Sequence, residues 1–288
     1  MIDLLRRQDS KSRELFSGSV CVWGPVGSPG KSTLALNLAC ELSMIGRTAL
    51  LIDLDTVGPS IGAMLGSENY SAGLAAAARL AGQDRLDGEQ IKRLAFVRNV
   101  GRGSLWVLPG LGNASRWPEV SPEKAAKLIR VAEENFDVVI VDVASALEAS
   151  VRQIGGVVDR NSAARTALEK CTRTLAVMSA DPVGVKRFLE THEEMSSLTQ
   201  SATLVANRVR ASVLGQGARD QISAVVADRC GHAVETFIPD DADSCDKATL
   251  QMTPLALLKR NSNARQAIAK LAREHFEFEG HHKPARAL

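Results

Sequence analysis

The chain has 288 residues, 45% of them hydrophobic, enough to fill a sizeable core. Its 35 Lys and Arg against 33 Asp and Glu exclude a general electrostatic pull toward nucleic acid or anionic lipid, so any such binding needs a local patch. The five cysteines (Cys21, Cys40, Cys171, Cys230, Cys245) form no CxxC pair, which speaks against a zinc site or a disulfide framework and for a reducing, cytoplasmic setting.

Taken in chain order, residues 1–17 lack the apolar core of a signal peptide, and no segment of the chain approaches the roughly 18 apolar residues of a membrane span. Ile2, Leu5, Leu15 and Phe16 beside Arg6, Arg7 and Lys11 read either as a short interfacial or partner helix, or as a segment that packs on its own domain. The first strand is SVCVW (19–23), apolar without alternation, as strands buried on both faces are. It runs straight into GPVGSPGKST (24–33) and a predicted helix over 31–45, where Leu34, Leu38 and Leu42 recur every four residues.

A strand, a glycine-rich loop and a helix N-terminus in that order make a phosphate cradle: successive backbone N–H groups surround the anion, the lysine reaches its outer oxygens, and the next hydroxyl holds magnesium. Gly27, Ser28, Gly30, Lys31 and Ser32 fill those places. The strict GxxxxGK[ST] spacing fails, because Pro25 occupies the first glycine position and Gly24 lies one residue early; Pro29 also removes one donor. A lost donor to a charged group costs about 1–3 kcal/mol, less than the remaining amides, Lys31 and Mg²⁺ supply together, so binding is expected to survive.

The second strand, TALLID (48–53), ends in Asp53-Leu54-Asp55, and after SLWVLP (104–109) and a helix over 122–135 opened by Ser121 and Pro122, the strand DVVIVDV (137–143) ends around Asp142. Acids at strand tips lie where open α/β sheets bind ligands. Asp142 has the form of the acid that holds Mg²⁺ through water, and one of Asp53 or Asp55 is expected to orient or deprotonate an attacking water. A helix over 162–171 and the strands TLAVMSA (174–180) and TLVANRV (203–209) follow. The stretch Asn207-Arg208-Val209-Arg210 lacks the Asp of a guanine reader, so adenine is the expected base, with Asn207 and the backbone near Ile238-Pro239-Asp240 as candidate contacts. The alternation of strand and helix predicts one α/β domain over 18–278, a mainly parallel twisted sheet with helices on both faces, followed by a flexible tail (279–288) in which His281 and His282 are not a metal site.

In their order, GSPGKST, DLD (53–55), WVLPG (106–110), VVIVD (138–142), ANR (206–208) and IPDD (238–241) resemble the MinD/ParA group of P-loop ATPases over almost the whole chain. The stretches WGPVGSPGKST, SRWPEV (115–120), ADPVGVKR (180–187) and the helix after TPLALL look closest to the actinobacterial septum-site (Ssd) and pilus-assembly (TadZ/CpaE) members. The resemblance implies ATP and Mg²⁺ as ligands. It gives Lys31 to the phosphates, Ser32 and Asp142 to magnesium, Thr33 to the α-phosphate, Asp55 to the hydrolytic water, and Asn207, Arg208 and Pro239 to the base. Two departures stand out: Val26 replaces the lysine that crosses to a partner's nucleotide in the ATP-bound dimer of this group, and Asp142 is followed by Val143-Ala144-Ser145 instead of Ser-Pro-Ala-Gly. A substitute cation would have to come from elsewhere, with Arg116 and Arg160 as candidates.

The resemblance therefore implies a slow cytoplasmic ATPase switch, dimeric with ATP, that positions division or pilus machinery through a protein partner, which recruits it to a pole, septum or membrane. Two alternatives stay open. One is a DNA partitioner using Lys186, Arg187, Arg208, Arg210 and Arg219, which the near-neutral charge disfavours. The other is a nucleotide-binding scaffold without turnover, motivated by Pro25, Val26 and Pro29. Gly280 and Pro284 break any C-terminal amphipathic helix, so membrane attachment through the tail is not expected.

Overall fold

The strand β1 (Gly18–Trp23) is buried along its whole length because each face lies under a different helical layer. Val20 and Val22 belong to one apolar cluster, Cys21 and Trp23 to another. Side chains alternate across a strand, so a strand covered on both sides must be apolar throughout. The computed structural model describes residues 15–27, 30–67, 73–149, 159–215 and 217–276. Ser28, Pro29, the first fourteen residues and the predicted tail lie outside them.

Eight strands form one sheet in the order β3-β4-β2-β5-β1-β6-β7-β8. These are β2 (Thr48–Leu54), β3 (Phe96–Val100), β4 (Gly103–Leu108), β5 (Val138–Val143), β6 (Arg173–Ser179), β7 (Ala202–Val209) and β8 (Thr236–Pro239). Every pairing is parallel except that of β3 with β4. The six strands expected from sequence are all present; the two edge strands β3 and β8 were not anticipated. An edge strand is buried on fewer sides, and in β3 three of five residues are at least partly exposed, so the apolar run that marks a central strand is missing.

The helices are α1 (Lys31–Met44), α2 (Ile61–Met64), α3 (Gly73–Gly82), α4 (Gly88–Leu94), α5 (Pro122–Glu133), α6 (Ser162–Lys170), α7 (Pro182–Leu198), α8 (Ala211–Leu214), α9 (Ala218–Cys230), α10 (Ala242–Leu250), α11 (Leu255–Leu258) and α12 (Asn263–Phe276). On one face of the sheet α1 packs with α11 and α12 through Leu34, Leu38, Leu255, Ile268 and Leu271. The other face is covered by α3, α4, α5, α6, α7 and α9, with Leu74, Ile91, Leu128, Leu168, Phe188 and Val226 inside. Helix α5 starts as its sequence predicts: Ser121 accepts from the Lys124 N–H, with Pro122 in the first turn.

Helix α1 is buried from Leu34 to Ser43 between the sheet and α12. Its polar interior residues are therefore all engaged. Glu41 pairs with Arg265 of α12 (2.7 Å). The Asn37 carboxamide donates to the Thr33 carbonyl (2.8 Å) and accepts from the Leu255 N–H (2.8 Å), joining the first turn of α1 to α11. Of the N-terminal segment, Phe16 is buried, edge-on to Phe276 at 5.5 Å and under the Arg173 guanidinium at 4.3 Å. At this residue the segment packs on its own domain. Among the described residues no helix is long and apolar enough to cross a membrane.

Candidate functional site

The parallel strands deliver their C-terminal ends to one edge of the sheet, and the loop after β1 turns there into α1. Gly30 takes a left-handed conformation (φ 92°) just before the helix, and the first turn of α1 carries neither an acidic residue nor a side-chain cap. The free N–H groups of a helix start thus face outward with their partial positive charge uncancelled, the electrostatic requirement of an anion site.

Pairing of β2 with β5 sets Asp53 beside Asp142 at the same register, and both are fully buried. Neighbouring carboxylates in a dry environment resist ionisation. Burial first and Asp142 second push Asp53 up to about 8, while burial pushes Asp142 up to about 7 against the lowering influence of Ser32 and Lys31. Their partners differ completely. Asp53 Oδ2 accepts from the Ser60 and Ile61 N–H groups at 3.0 Å each, and Oδ1 accepts from the Asp55 N–H at 3.3 Å. Among the described residues, no donor is placed to hydrogen-bond either oxygen of Asp142. The Ser32 hydroxyl nearby favours its ionised form. A buried carboxylate without donors is costly unless a cation meets it. Asp142, with the Ser32 hydroxyl and the charge of Lys31 close by, therefore fits a hydrated divalent cation such as Mg²⁺.

Asp55, beyond the tip of β2, is half-buried and held differently: its Oδ1 accepts from the Val57 and Gly58 N–H groups at 2.8 Å each. The two acids of this strand end are thus held by different donors. Asp53 organises the turn into α2, and Asp55 stands at the rim.

Lys31 Nζ donates to Ser145 Oγ at 2.7 Å, and the Ser145 carbonyl accepts from Trp23 Nε1 at 3.0 Å. The segment after β5 is thus tied both to β1 and to the loop lysine, a role for Ser145 that the sequence did not reveal. On the other side of the loop, Gly30 and Thr33 line a cavity of about 270 Å³ with Asn207, Arg208 and Pro239. The five belong together for a local reason: a bulge between Ala206 and Val209 puts Arg208 at φ 58° and turns the tip of β7 toward the loop. A Cβ on Gly30 would collide with the Asn207 carboxamide.

Of the predicted residues, Gly30, Thr33, Asn207, Arg208 and Pro239 come together around that cavity, while Lys31, Ser32, Asp55 and Asp142 gather at the tips of β1, β2 and β5. Gly27 (φ 73°) faces the Arg187 guanidinium of α7. Arg116 is taken up by Glu119 in a two-bond pair (2.6 and 2.9 Å) on a 3-10 helix (Ala114–Glu119). Of Arg160 the carbonyl is engaged, by the Thr56 hydroxyl (3.2 Å). Of the basic residues considered for DNA, Lys186 pairs with Glu190, Arg210 lies 3.7 Å from Asp240, and Arg219 stacks over Phe237 at 5.7 Å.

Comparison with known proteins agrees with this arrangement. The model of the CobQ/CobB/MinD/ParA nucleotide binding domain matches residues 20–255. An iron-sulfur cluster carrier protein of Methanocaldococcus jannaschii is 41% identical over 69 residues, 23% of this chain and 24% of that protein, so the chain spans about a quarter of that relative. The septum site-determining protein MinD of Bacillus subtilis is 24% identical over 238 residues, covering 82% of this chain and 80% of MinD. The structure of MinD from Pyrococcus horikoshii complexed with Mg-ADP superposes with a TM-score of 0.69 at 19% identity, over 90% of this chain and 96% of that one. Sheet order, loop, strand-tip acids and family match converge on one conclusion: the chain belongs to the CobQ/CobB/MinD/ParA nucleotide-binding domain family.

Proposed function

We propose that the chain, through a single unit over 18–278, binds ATP with Mg²⁺ and hydrolyses it slowly, as a switch whose ATP form is dimeric or partner-bound. The observation that carries this reading is the buried, donorless carboxylate of Asp142 beside Ser32 and Lys31 at an uncapped helix start. Ser32 and Asp142 hold the metal. Lys31 leaves Ser145 for the phosphates, the backbone from Gly27 through Ser28 to Gly30 cradles them, and Thr33 meets the α-phosphate. Asn207, Arg208 and Pro239 take the adenine, whose flat ring suits a cavity at the small end of ligand clefts. Asp55, its carboxylate fixed by two backbone donors, orients the attacking water. The bound metal supplies charge neutralisation across the phosphates.

Positioning of cell-division or pilus machinery by a cytoplasmic ATPase that a partner recruits is the output we assign, on the likeness to MinD and to the septum-site and pilus members. Titration with labelled ATP, with and without Mg²⁺, tests the core of the reading. Saturable, metal-dependent binding that Lys31→Ala and Asp142→Asn each weaken at least about tenfold is expected. Uptake that ignores both substitutions would end it. Val26, which leaves the loop without a second cation of its own, favours a second reading as a scaffold without turnover; equal phosphate release by the wild type and Asp55→Ala would select it.

A further inference from the structure

Arg187 lies on α7, 161 positions from the loop it touches. Its Nη1 donates to the Val26 carbonyl at 3.4 Å. Its guanidinium stands so close to Gly27 that a Cβ there would collide with Nη1 and sit 3.2 Å from Cζ. Gly27 meets two demands at once, the left-handed backbone (φ 73°) and the bare Cα on which the guanidinium rests. The helix that carries Arg187 is firmly started. Asp181 accepts from the Val183 and Gly184 N–H groups at 3.0 and 2.9 Å, and Pro182 sets the first turn.

Charge makes the contact notable. Residues 24–27 are Gly-Pro-Val-Gly, so Lys31 is the cation that the loop itself supplies. Arg187 makes no ion pair among the described residues; the nearest acid along its helix, Glu190, is paired with Lys186. A guanidinium that, among the described residues, donates to one carbonyl at the long limit of a hydrogen bond gives up little by turning to a better acceptor. A phosphate is such an acceptor, and the planar fork of donors suits two of its oxygens.

We propose that Arg187 is a built-in cation of the phosphate loop, reaching from the same chain to the terminal phosphate of a bound nucleoside triphosphate and neutralising charge where Val26 offers none. This rests on the ATP-binding reading above. It adds that this charge neutralisation comes from a residue of the same chain.

The test compares affinities for ADP and for a nonhydrolysable ATP analogue, both with Mg²⁺, in the wild type, Arg187→Ala, Arg187→Lys and Lys31→Ala, together with kcat and thermal midpoints. Arg187→Ala is expected to weaken the triphosphate about tenfold and leave ADP within about twofold, with Arg187→Lys in between. It should lower kcat by about 10- to 100-fold without moving the midpoint. The affinity ratio reads out even where turnover is slow. An unchanged ratio, with Lys31→Ala still losing nucleotide, overturns this inference alone. So does an equal loss of both nucleotides together with a lowered midpoint, the mark of a clamp that only holds α7 on the loop. Binding that survives Lys31→Ala removes the ATP reading and this inference with it.

Discussion

The tips of β2 and β5 carry the same residue type at the same register and the same depth, yet one is built into the fold and the other is left open. Asp53 spends both oxygens on three backbone N–H groups, two of them at the start of α2. Asp142 spends none. Burial and charge alone do not distinguish the two acids, since both are pushed up by burial. The hydrogen-bond partners do.

The strongest way to break this contrast is to remove the structural acid. Asp53→Ala leaves the Ser60 and Ile61 N–H groups without an acceptor at a buried position and should cost about 2–5 kcal/mol of unfolding free energy in urea titration. Asp53→Asn, which keeps a carbonyl acceptor, should cost clearly less. Asp142→Asn should do the reverse, raising the stability of the nucleotide-free chain at pH 8 by on the order of 1–3 kcal/mol while removing Mg²⁺-dependent nucleotide binding. A destabilised Asp142→Asn would mean that the carboxylate has donors after all.

The same comparison sets a pH dependence. Asp142 titrates near 7 in the fold against 3.8 unfolded, so the folded chain holds a proton that the unfolded chain has lost across that window. Its contribution is fully present below 3.8 and is lost as the pH rises through about 7. Asp53, pushed up in the same direction, extends the decline toward 8. Thermal midpoints measured from pH 4 to 8 should fall, and Asp142→Asn should flatten the lower part of that slope. The smallest effect expected is at Ser145: Ser145→Ala frees Lys31 and should tighten ATP by about two- to fivefold, with a stability change within about 1 kcal/mol.

Much of this was legible in the sequence where physics is local. The central strands announce themselves because both faces are buried. The turn between β1 and α1 announces itself because a strand, a glycine-rich stretch and a helix start stand in succession, and Asp142 because it comes near the end of an apolar run. Residue type and position did not tell Asp53 from Asp55, although the resemblance singled out Asp55, since their hydrogen bonds depend on which backbone N–H groups fold back on them, for Asp53 as far as eight residues on. The contacts of Ser145 and Arg187 with the loop were illegible for the same reason at longer range. Each meets the loop only after the sheet has assembled, and nothing in ADPVGVKR distinguishes an arginine that touches Gly27 from one in water.

Asn37 has a consequence at a distance. One carboxamide serves both the Thr33 carbonyl and the Leu255 N–H, and it cannot keep both bonds if the first turn of α1 shifts against α11. Leu250, Met252 and Leu257, all solvent-facing, lie just before or within α11. The start of α1 and the start of α11 are thereby held in one fixed spacing by a single side chain, although they lie some two hundred residues apart in the chain.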